Sequence, residues 1–216
     1  MATSLEKWRS AMQPPAVVAF FDGLFETGGV RVSDTGEAFT CRHLGDRIEF
    51  ADGLDEGAVD FTVEIESSQV DRLLVDAQAG AFDAGAQYRI MVELATAATR
   101  SMLARPVVKS RLLRRVLFTI GRAESLMHVT LVPPPGEPEV GHTIVYVDGQ
   151  SLVIEGLHGR VPHVYRLSVA DASEFQKRML AARKANKLSP WLAFARWYGG
   201  LRKKVAKPIG RGSQEG

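Results

Sequence analysis

The chain has 216 residues, of which 45% are hydrophobic and 24% are charged, the composition of an ordinary globular protein. No apolar run approaches the roughly 20 residues of a membrane span, and residues 1–15 lack the apolar core of a secretion signal. The single cysteine, Cys41, excludes an internal disulfide and favours a reducing compartment, so we expect a cytoplasmic protein.

The charges are unevenly distributed, although the formal net charge is only +2. Acidic residues outnumber basic ones between Asp22 and Glu93, whereas residues 106–122 and 177–211 contain Lys and Arg but no Asp or Glu. This asymmetry predicts a basic face that meets an anionic partner. A solvated face that balances the acidic half is the alternative interpretation.

The first quarter of the chain predicts a helix followed by a hairpin. Pro14-Pro15 opens the helix and Gly28-Gly29 ends it. Its apolar stripe consists of Val17, Phe20, Phe21, Leu24 and Phe25. Residues 39–44 and 47–50 then read as two strands about the turn signal Gly45-Asp46.

A strand, a capped helix, a loop, a second strand and a second helix are predicted between residues 61 and 103. The strand is the alternation Phe61, Val63, Ile65. Ser67 is predicted as the N-cap of the helix, whose apolar stripe consists of Val70, Leu73, Leu74 and Ala77. Small residues around Phe82 form the loop, and the second strand is the alternation Tyr88, Ile90, Val92, Leu94, followed by an Ala-rich helix ending near Pro106.

A basic amphipathic helix over residues 106–121 and a strand over residues 126–132 are predicted next. The Pro- and Gly-rich stretch that follows indicates a boundary. We therefore predict a first unit at 1–132, a second unit at 133–207 packed into the same globular body, and a disordered tail at 208–216.

The second unit faintly repeats the first at an offset of 152 − 48 = 104 residues. Leu152 and Ile154 correspond to Ile48 and Phe50, and Tyr165 corresponds to Phe61. Asp171 is then predicted as the N-cap of a helix, with Glu174 completing a capping-box pattern. Two unrelated units of α+β type would show the same weak correspondence without a duplication.

No catalytic or metal-binding motif is present in the sequence. Cys41 and His43 would share one side of a strand, but a buried structural cysteine explains them better than a nucleophile–base pair. His158 and His163 flank a loop without the spacing of a zinc site. We therefore predict no catalytic residues, no metal and no cofactor. Whether the protein is an enzyme is left open, and a non-enzyme is preferred.

The pattern of residues 59–65, 67–74, 79–83 and 88–92 resembles the sterol carrier protein (type 2) family. The resemblance covers roughly residues 36–103 and implies an α+β fold. In that fold, helices cover curved, mostly antiparallel sheets and enclose an apolar cavity for fatty acyl chains or sterols. The residues that we expect to line it are Phe61, Val63, Ile65, Leu74, Phe82 and Ile90.

The last helix is predicted to begin with Ser189 as its N-cap and Pro190 as its first residue. It combines an aromatic stripe with charged residues that are all basic. The residues predicted to contact a membrane are Trp191, Phe194, Arg196, Trp197, Arg202, Lys203 and Lys204. An ordinary helix with core aromatics and solvated basic residues is the alternative.

The function predicted from the sequence is binding, and transfer, of an apolar small molecule, a fatty acyl lipid or a sterol, with peripheral contact to an anionic membrane. A nucleic-acid or protein adaptor that uses the same basic face ranks second, with Trp191 or Trp197 as a stacking platform. An α+β enzyme acting on an apolar substrate is the third interpretation. The sequence does not determine the oligomeric state.

Overall fold

The computed structural model describes residues 3–78, 82–104, 126–147, 150–185 and 187–207. The fold is α+β with two mixed sheets, and the chain divides into two units, Met1–Met102 and Leu103–Gly216. The division differs from the predicted one after residue 132, because the strand at Leu126–Leu131 is the centre of the second sheet. The predicted basic helix at 106–121 and the predicted tail at 208–216 lie outside the described residues.

The first unit contains a mixed sheet in the order β3-β2-β1-β4. The first two helices and the strands are α1 (Ser4–Ala11), α2 (Pro15–Phe21), β1 (Thr27–Val32), β2 (Ala38–His43), β3 (Ile48–Asp52) and β4 (Phe61–Ile65). The meander β1-β2-β3 is antiparallel, whereas β4 pairs with β1 in parallel. The predicted hairpin is confirmed, with Gly45 in its turn at a φ of +92°.

The predicted end of the first helix is wrong. α2 ends at Phe21, and Gly28 and Gly29 lie within β1. A Cβ atom at Gly28 would lie 3.0 Å from the Cys41 sulfur and 3.2 Å from the Phe61 ring. Gly28 is therefore explained by close packing inside the sheet and not by the end of a helix.

Helices follow β4 and complete the first unit. They are α3 (Ser67–Gln78), α4 (Ala84–Ile90), a π-helical segment (Met91–Ala95) and α5 (Thr96–Ala104). The predicted stripe of α3 is confirmed, because Val70, Leu73, Leu74 and Ala77 are all buried.

The predicted strand at Tyr88, Ile90, Val92 and Leu94 is wrong, because these residues are helical. Asp83 caps α4 by accepting a hydrogen bond from the Ala86 N–H at 2.9 Å. Buried residues recur at helical spacing through this region, at Ala86, Ile90, Leu94, Ala98 and Met102. The short alternating pattern that indicated a strand is therefore part of a longer pattern with helical spacing.

The second unit contains a mixed sheet in the order β7-β6-β5-β8-β9. Its elements are β5 (Leu126–Leu131), β6 (Val140–Val147), β7 (Gln150–Glu155), β8 (Val164–Leu167), α6 (Val169–Ala185), α7 (Leu188–Val205) and β9 (Ala206–Lys207). The Pro-rich stretch after β5 connects two antiparallel neighbours within this sheet, so it is not a boundary.

The two units share one topology, but the predicted offset of 104 residues is wrong. Leu152 is equivalent to Glu49, and not to Ile48, so the offset between β3 and β7 is 152 − 49 = 103. In both units an antiparallel meander is followed by a strand parallel to its first strand. The Ser33 N–H donates to the Ile65 carbonyl, and the Val132 N–H donates to the Leu167 carbonyl in the same way. Ile65 and Leu167 are thus equivalent, and the offset here is 167 − 65 = 102.

The same offset relates the starts of the helices that follow. Gln69 accepts a hydrogen bond from the Glu66 N–H at 2.8 Å. At the equivalent place, 168 − 66 = 102, the Ser168 N–H donates to the Asp171 carboxylate at 3.4 Å. The Ser168 hydroxyl also accepts from the Asp171 N–H at 3.1 Å and donates to the Asp171 carboxylate at 2.8 Å. Ser168 is therefore the cap, and Asp171, which the sequence predicted as the cap, is its partner.

We expect the substitution Ser168→Ala to lower the free energy of unfolding of the second unit by about 1 kcal/mol, because it removes the capping hydroxyl. Urea unfolding followed by the fluorescence of Trp191 and Trp197 measures the change. Ser173→Ala, inside α6, is the matched control and should change stability by less than about 0.5 kcal/mol. Equal effects of the two substitutions would contradict the assigned cap.

Candidate functional site

The six residues predicted to line a cavity all lie in the first unit. Phe61, Val63 and Ile65 share one side of β4 and lie beside Gly28, Val30 and Val32 of β1. Leu74 lies on α3, Ile90 ends α4, and Phe82 precedes α4. Five of the six are buried, and Phe82 is half-buried.

A continuous series of ring contacts connects two of these residues. Phe61 contacts Phe25 at a centroid distance of 5.8 Å, and Phe25 contacts Phe21 at 5.8 Å. Phe21 contacts Phe20 at 5.2 Å, and Phe20 contacts Phe82 at 5.4 Å. We call these five residues the aromatic chain. It runs from the buried sheet to the two half-buried rings of Phe20 and Phe82.

Sequence reasoning placed Phe20, Phe21 and Phe25 on one helix but left them out of the candidate site. The density of phenylalanine on a short segment was the available signal. What the pattern did not reveal is that Phe25 lies beyond α2 and packs edge-on against Phe61 of β4.

Cys41 and His43 do not form a nucleophile–base pair. Burial raises the pKa of the Cys41 thiol to about 12, and the thiol donates to the Gly28 carbonyl at 3.4 Å. His43 accepts from the Gly45 N–H through Nδ1, so its Nε2 donates to the Val18 carbonyl at 3.0 Å. Both side chains thereby connect strands and helices of the first unit.

Charged residues connect α3 to the helix that follows it. Arg89 binds both oxygens of Asp76, at 2.9 and 2.7 Å. Burial raises the pKa of Glu93, in the π-helical segment, and Arg72 at 3.8 Å offsets part of this effect. These ion pairs hold the helices that carry Leu74 and Ile90 in a fixed relation.

The aromatic stripe predicted on the last helix packs against α6. The Phe175 ring on α6 lies 5.6 Å from Phe194 and 5.8 Å from Tyr198. Phe194 also contacts Trp191 at 5.8 Å and Trp197 at 6.0 Å. The four α7 rings are half-buried, so much of this stripe forms a helix–helix interface within the second unit.

Two of the predicted basic residues of α7 bind groups inside the second unit. Arg202 donates to the Tyr165 hydroxyl at 3.1 Å. Lys204 pairs with Asp171 at 3.0 Å. Burial raises the pKa of Asp171, but hydrogen bonds from Lys204 and Ser168 outweigh it and hold that pKa below its ordinary value.

The opposite side of α7 combines apolar and cationic side chains. Leu188 and Leu192 are 54% and 46% exposed, which is unusual for large apolar residues on neighbouring turns. Arg196 and Lys203 continue the same side and are exposed. Neither has a carboxylate partner among the residues that the structure describes. We call Leu188, Leu192, Arg196 and Lys203 the outer face of α7.

Searches with this chain against known protein families, curated proteins and solved structures find no match. Within the described ranges, no group of three or more His, Cys, Asp or Glu side chains is placed to hold a metal ion. No helix of the described residues has the length and apolar character needed to cross a membrane.

We expect Phe175→Ala to lower the free energy of unfolding of the second unit by about 2 kcal/mol, because its ring joins α6 to α7. Trp197 fluorescence should shift towards that of solvent-exposed tryptophan. Leu192→Ala, on the outer face, should change stability by at most about 0.5 kcal/mol. A larger loss from Leu192→Ala than from Phe175→Ala would mean that α7 packs through its outer face.

Proposed function

We propose that this protein binds an apolar small molecule, a fatty acyl lipid or a sterol, in a sterol-carrier-like cavity of the first unit. The aromatic chain is the observation that carries the proposal. It joins the buried Phe61 on the sheet to the half-buried Phe20 and Phe82 through unbroken ring contacts. It is a continuous apolar cluster that extends from half-buried rings to the sheet, and the proposal places the apolar ligand against this cluster.

Desolvation supplies the binding free energy in this proposal. Each CH₂ group that leaves water contributes about 0.8 kcal/mol, so a chain of several methylenes binds without any ion pair at its apolar end. The buried thiol of Cys41 and the capped ring of His43 leave no reactive pair in this region. This supports binding over catalysis, and a free thiol supports placing the protein in a reducing compartment such as the cytoplasm.

Delipidated protein should bind a fluorescent fatty acid with a stoichiometry of one per chain. Leu74→Trp should weaken binding at least about tenfold by filling the proposed cavity, which corresponds to about 1.4 kcal/mol. Val75→Trp is the matched control, because the neighbouring side chain is 64% exposed and points away from the core. Its affinity should equal that of the unsubstituted protein.

Circular dichroism of both tryptophan variants separates loss of binding from loss of fold. If delipidated protein binds neither acyl nor sterol probes, the proposal is wrong. Equal weakening by Leu74→Trp and Val75→Trp would also count against a site on the sheet side of α3.

We further propose that the outer face of α7 contacts an anionic lipid surface, from which the apolar ligand would be taken up or to which it would be delivered. The supporting observation is that Leu188 and Leu192 are exposed beside Arg196 and Lys203. Interfacial helices insert apolar side chains below the headgroups while cations remain among them. Each cation near such a surface contributes about 1 kcal/mol.

The packing of α7 changes which of its residues the proposal uses. Trp191, Phe194 and Trp197 are partly occupied by contacts with each other and with α6, so the leucines take over as the inserting residues. Nucleic acid or an acidic protein could use the same cations but would not need the leucines. An enzyme acting on an apolar substrate would need a catalytic group, and the Cys41 and His43 side chains beside the aromatic chain are engaged by backbone carbonyls.

The protein should sediment with vesicles containing phosphatidylserine and not with phosphatidylcholine vesicles, and high salt should reduce binding. Leu188→Ser with Leu192→Ser should abolish sedimentation, and Arg196→Gln with Lys203→Gln should weaken it at least about tenfold, or about 1.4 kcal/mol. Arg31→Gln with Arg47→Gln removes the same charge from ion pairs in the first unit and should have little effect.

The leucine variant distinguishes the lipid proposal from the adaptor. Loss of binding to single-stranded DNA or RNA in the cation variant, with normal binding in the leucine variant and no vesicle binding, would favour the nucleic-acid adaptor. Vesicle binding that survives all four outer-face substitutions would exclude this face of α7.

A further inference from the structure

We propose that the outer edge of β7 pairs with the same edge of a second copy of the chain, forming a symmetric dimer through the second sheet. β7 is at the end of its sheet and, among the described residues, pairs with β6 alone. An edge strand carries backbone N–H and C=O groups that are not used within the sheet, and another strand satisfies them best.

The first unit protects the middle of its corresponding edge, whereas the protecting contact described for β7 lies at its end, where His158 Nε2 is 2.5 Å from the Glu155 carbonyl oxygen. Trp8 on α1 packs 6.4 Å from the Phe50 ring on β3, and Arg9 donates to the Phe50 carbonyl at 3.1 Å. The middle of β7, Leu152 to Ile154, contains no lysine and no proline, which are common protecting residues on edge strands.

The side chains next to the two edges also differ, being polar in the first sheet and apolar in the second. In the first sheet, Thr27, Arg42 and Glu49 form a row across β1, β2 and β3. The row at the equivalent position in the second sheet is Leu126, Val145 and Leu152. A polar row has thus been replaced by an apolar one on the side of the sheet that carries Leu152.

In the neighbouring row, the edge strand again carries the larger apolar residue, because Ile154 stands at the position of Ala51. Gly29, Thr40 and Ala51 correspond to His128, Thr143 and Ile154. Leu152 and Ile154 are 49% and 43% exposed on the edge strand itself, so two large apolar residues border an open strand. Exposed apolar side chains beside an unpaired edge are typical of a surface that another chain covers.

A second copy fits this edge because one antiparallel register pairs apolar residues with apolar residues. With Val153 on the two-fold axis, Leu152 faces Ile154 of the partner subunit and the reverse pair forms on the other side of the axis. Ser151 then faces Glu155 of the partner subunit, so a hydroxyl donor meets a carboxylate. A register centred on Glu155 would instead place two carboxylates opposite each other.

The pairing is isologous, so it closes at two copies and does not propagate into fibres. Stable interfaces bury about 1,200–2,000 Å² in total. Two short strands with the flanking side chains of Leu126 and Val145 provide only part of that area. We therefore infer a dimer that dissociates on dilution.

Sedimentation velocity over a range of concentrations tests the proposal on the full chain. The unsubstituted protein should change from monomer to dimer, and Ile154→Lys should raise the dissociation constant at least about tenfold, or about 1.4 kcal/mol. Ala51→Lys, at the equivalent place on β3, is the matched control and should leave the constant unchanged. Thermal unfolding of both variants confirms that they fold.

Oxidative cross-linking tests the register. Val153→Cys should form an intermolecular disulfide in mild oxidised glutathione, because its Cα atoms face each other across the axis. Ser151→Cys should not, because its partner lies four residues along the opposite strand, well beyond 7 Å. Cys41 is buried and should stay reduced in both variants.

A monomer at every concentration up to about 1 mM, or a dimer that Ile154→Lys leaves intact, would overturn the proposal. Larger assemblies without a dimer would overturn the closed symmetry. Cross-linking through Ser151→Cys but not through Val153→Cys would reject the register.

Discussion

Parallel pairing of the fourth strand with the first is the constraint on which the first unit depends. Parallel neighbours cannot be joined by a tight turn, so the chain must make two further strands and a loop before β4 returns beside β1. This return places Phe61, Val63 and Ile65 in register with Gly28, Val30 and Val32. Strands β1 and β4 thereby present one nearly continuous apolar surface, with Gly28 leaving room for the Phe61 ring.

The second unit uses the same constraint with β5 and β8, but its surfaces have diverged. The backbone bonds that anchor the crossover are equivalent in both units, as are the helix caps that follow. On the side of the sheet that carries Leu152, by contrast, one polar row of the first unit is an apolar row in the second, which consists of Leu126, Val145 and Leu152. Backbone pairing tolerates such changes because side chains alternate between the two faces without altering the hydrogen bonds.

Helix α7 illustrates how one amphipathic segment can serve two surfaces. Its rings pack onto α6, where Phe175 contacts Phe194 and Tyr198. Its other side leaves Leu188 and Leu192 exposed beside Arg196 and Lys203, which have no carboxylate partner within the part of the chain that the structure describes. A helix whose only apolar side faced α6 would leave a polar surface outside. The exposed leucines are the feature on which the proposed lipid contact is based.

The sequence alone determined the elements with clear local signals: the strand Phe61–Ile65, the α3 stripe, the hairpin at Gly45 and the strand at Leu126–Leu131. Periodicity and turn chemistry act over a few residues, so these elements can be read from short windows. It also grouped Phe61, Val63 and Ile65 of the candidate site, because alternation assigns them to one face of a strand, and it placed Leu74 on the buried stripe of α3. It misjudged Ile90 and its neighbours, whose spacing fits a strand in a short window and a helix in a longer one.

Only the tertiary structure decided which strands are neighbours and therefore which residues meet. The pairing of β4 with β1 joins segments more than thirty residues apart, and local patterns carry no information about such contacts. The aromatic chain, the helix–helix use of the α7 rings and the open edge of β7 all depend on that long-range arrangement. Composition gave Phe25, Phe194 and Leu152 their apolar character, but only packing determined that the first two are covered and the third is exposed.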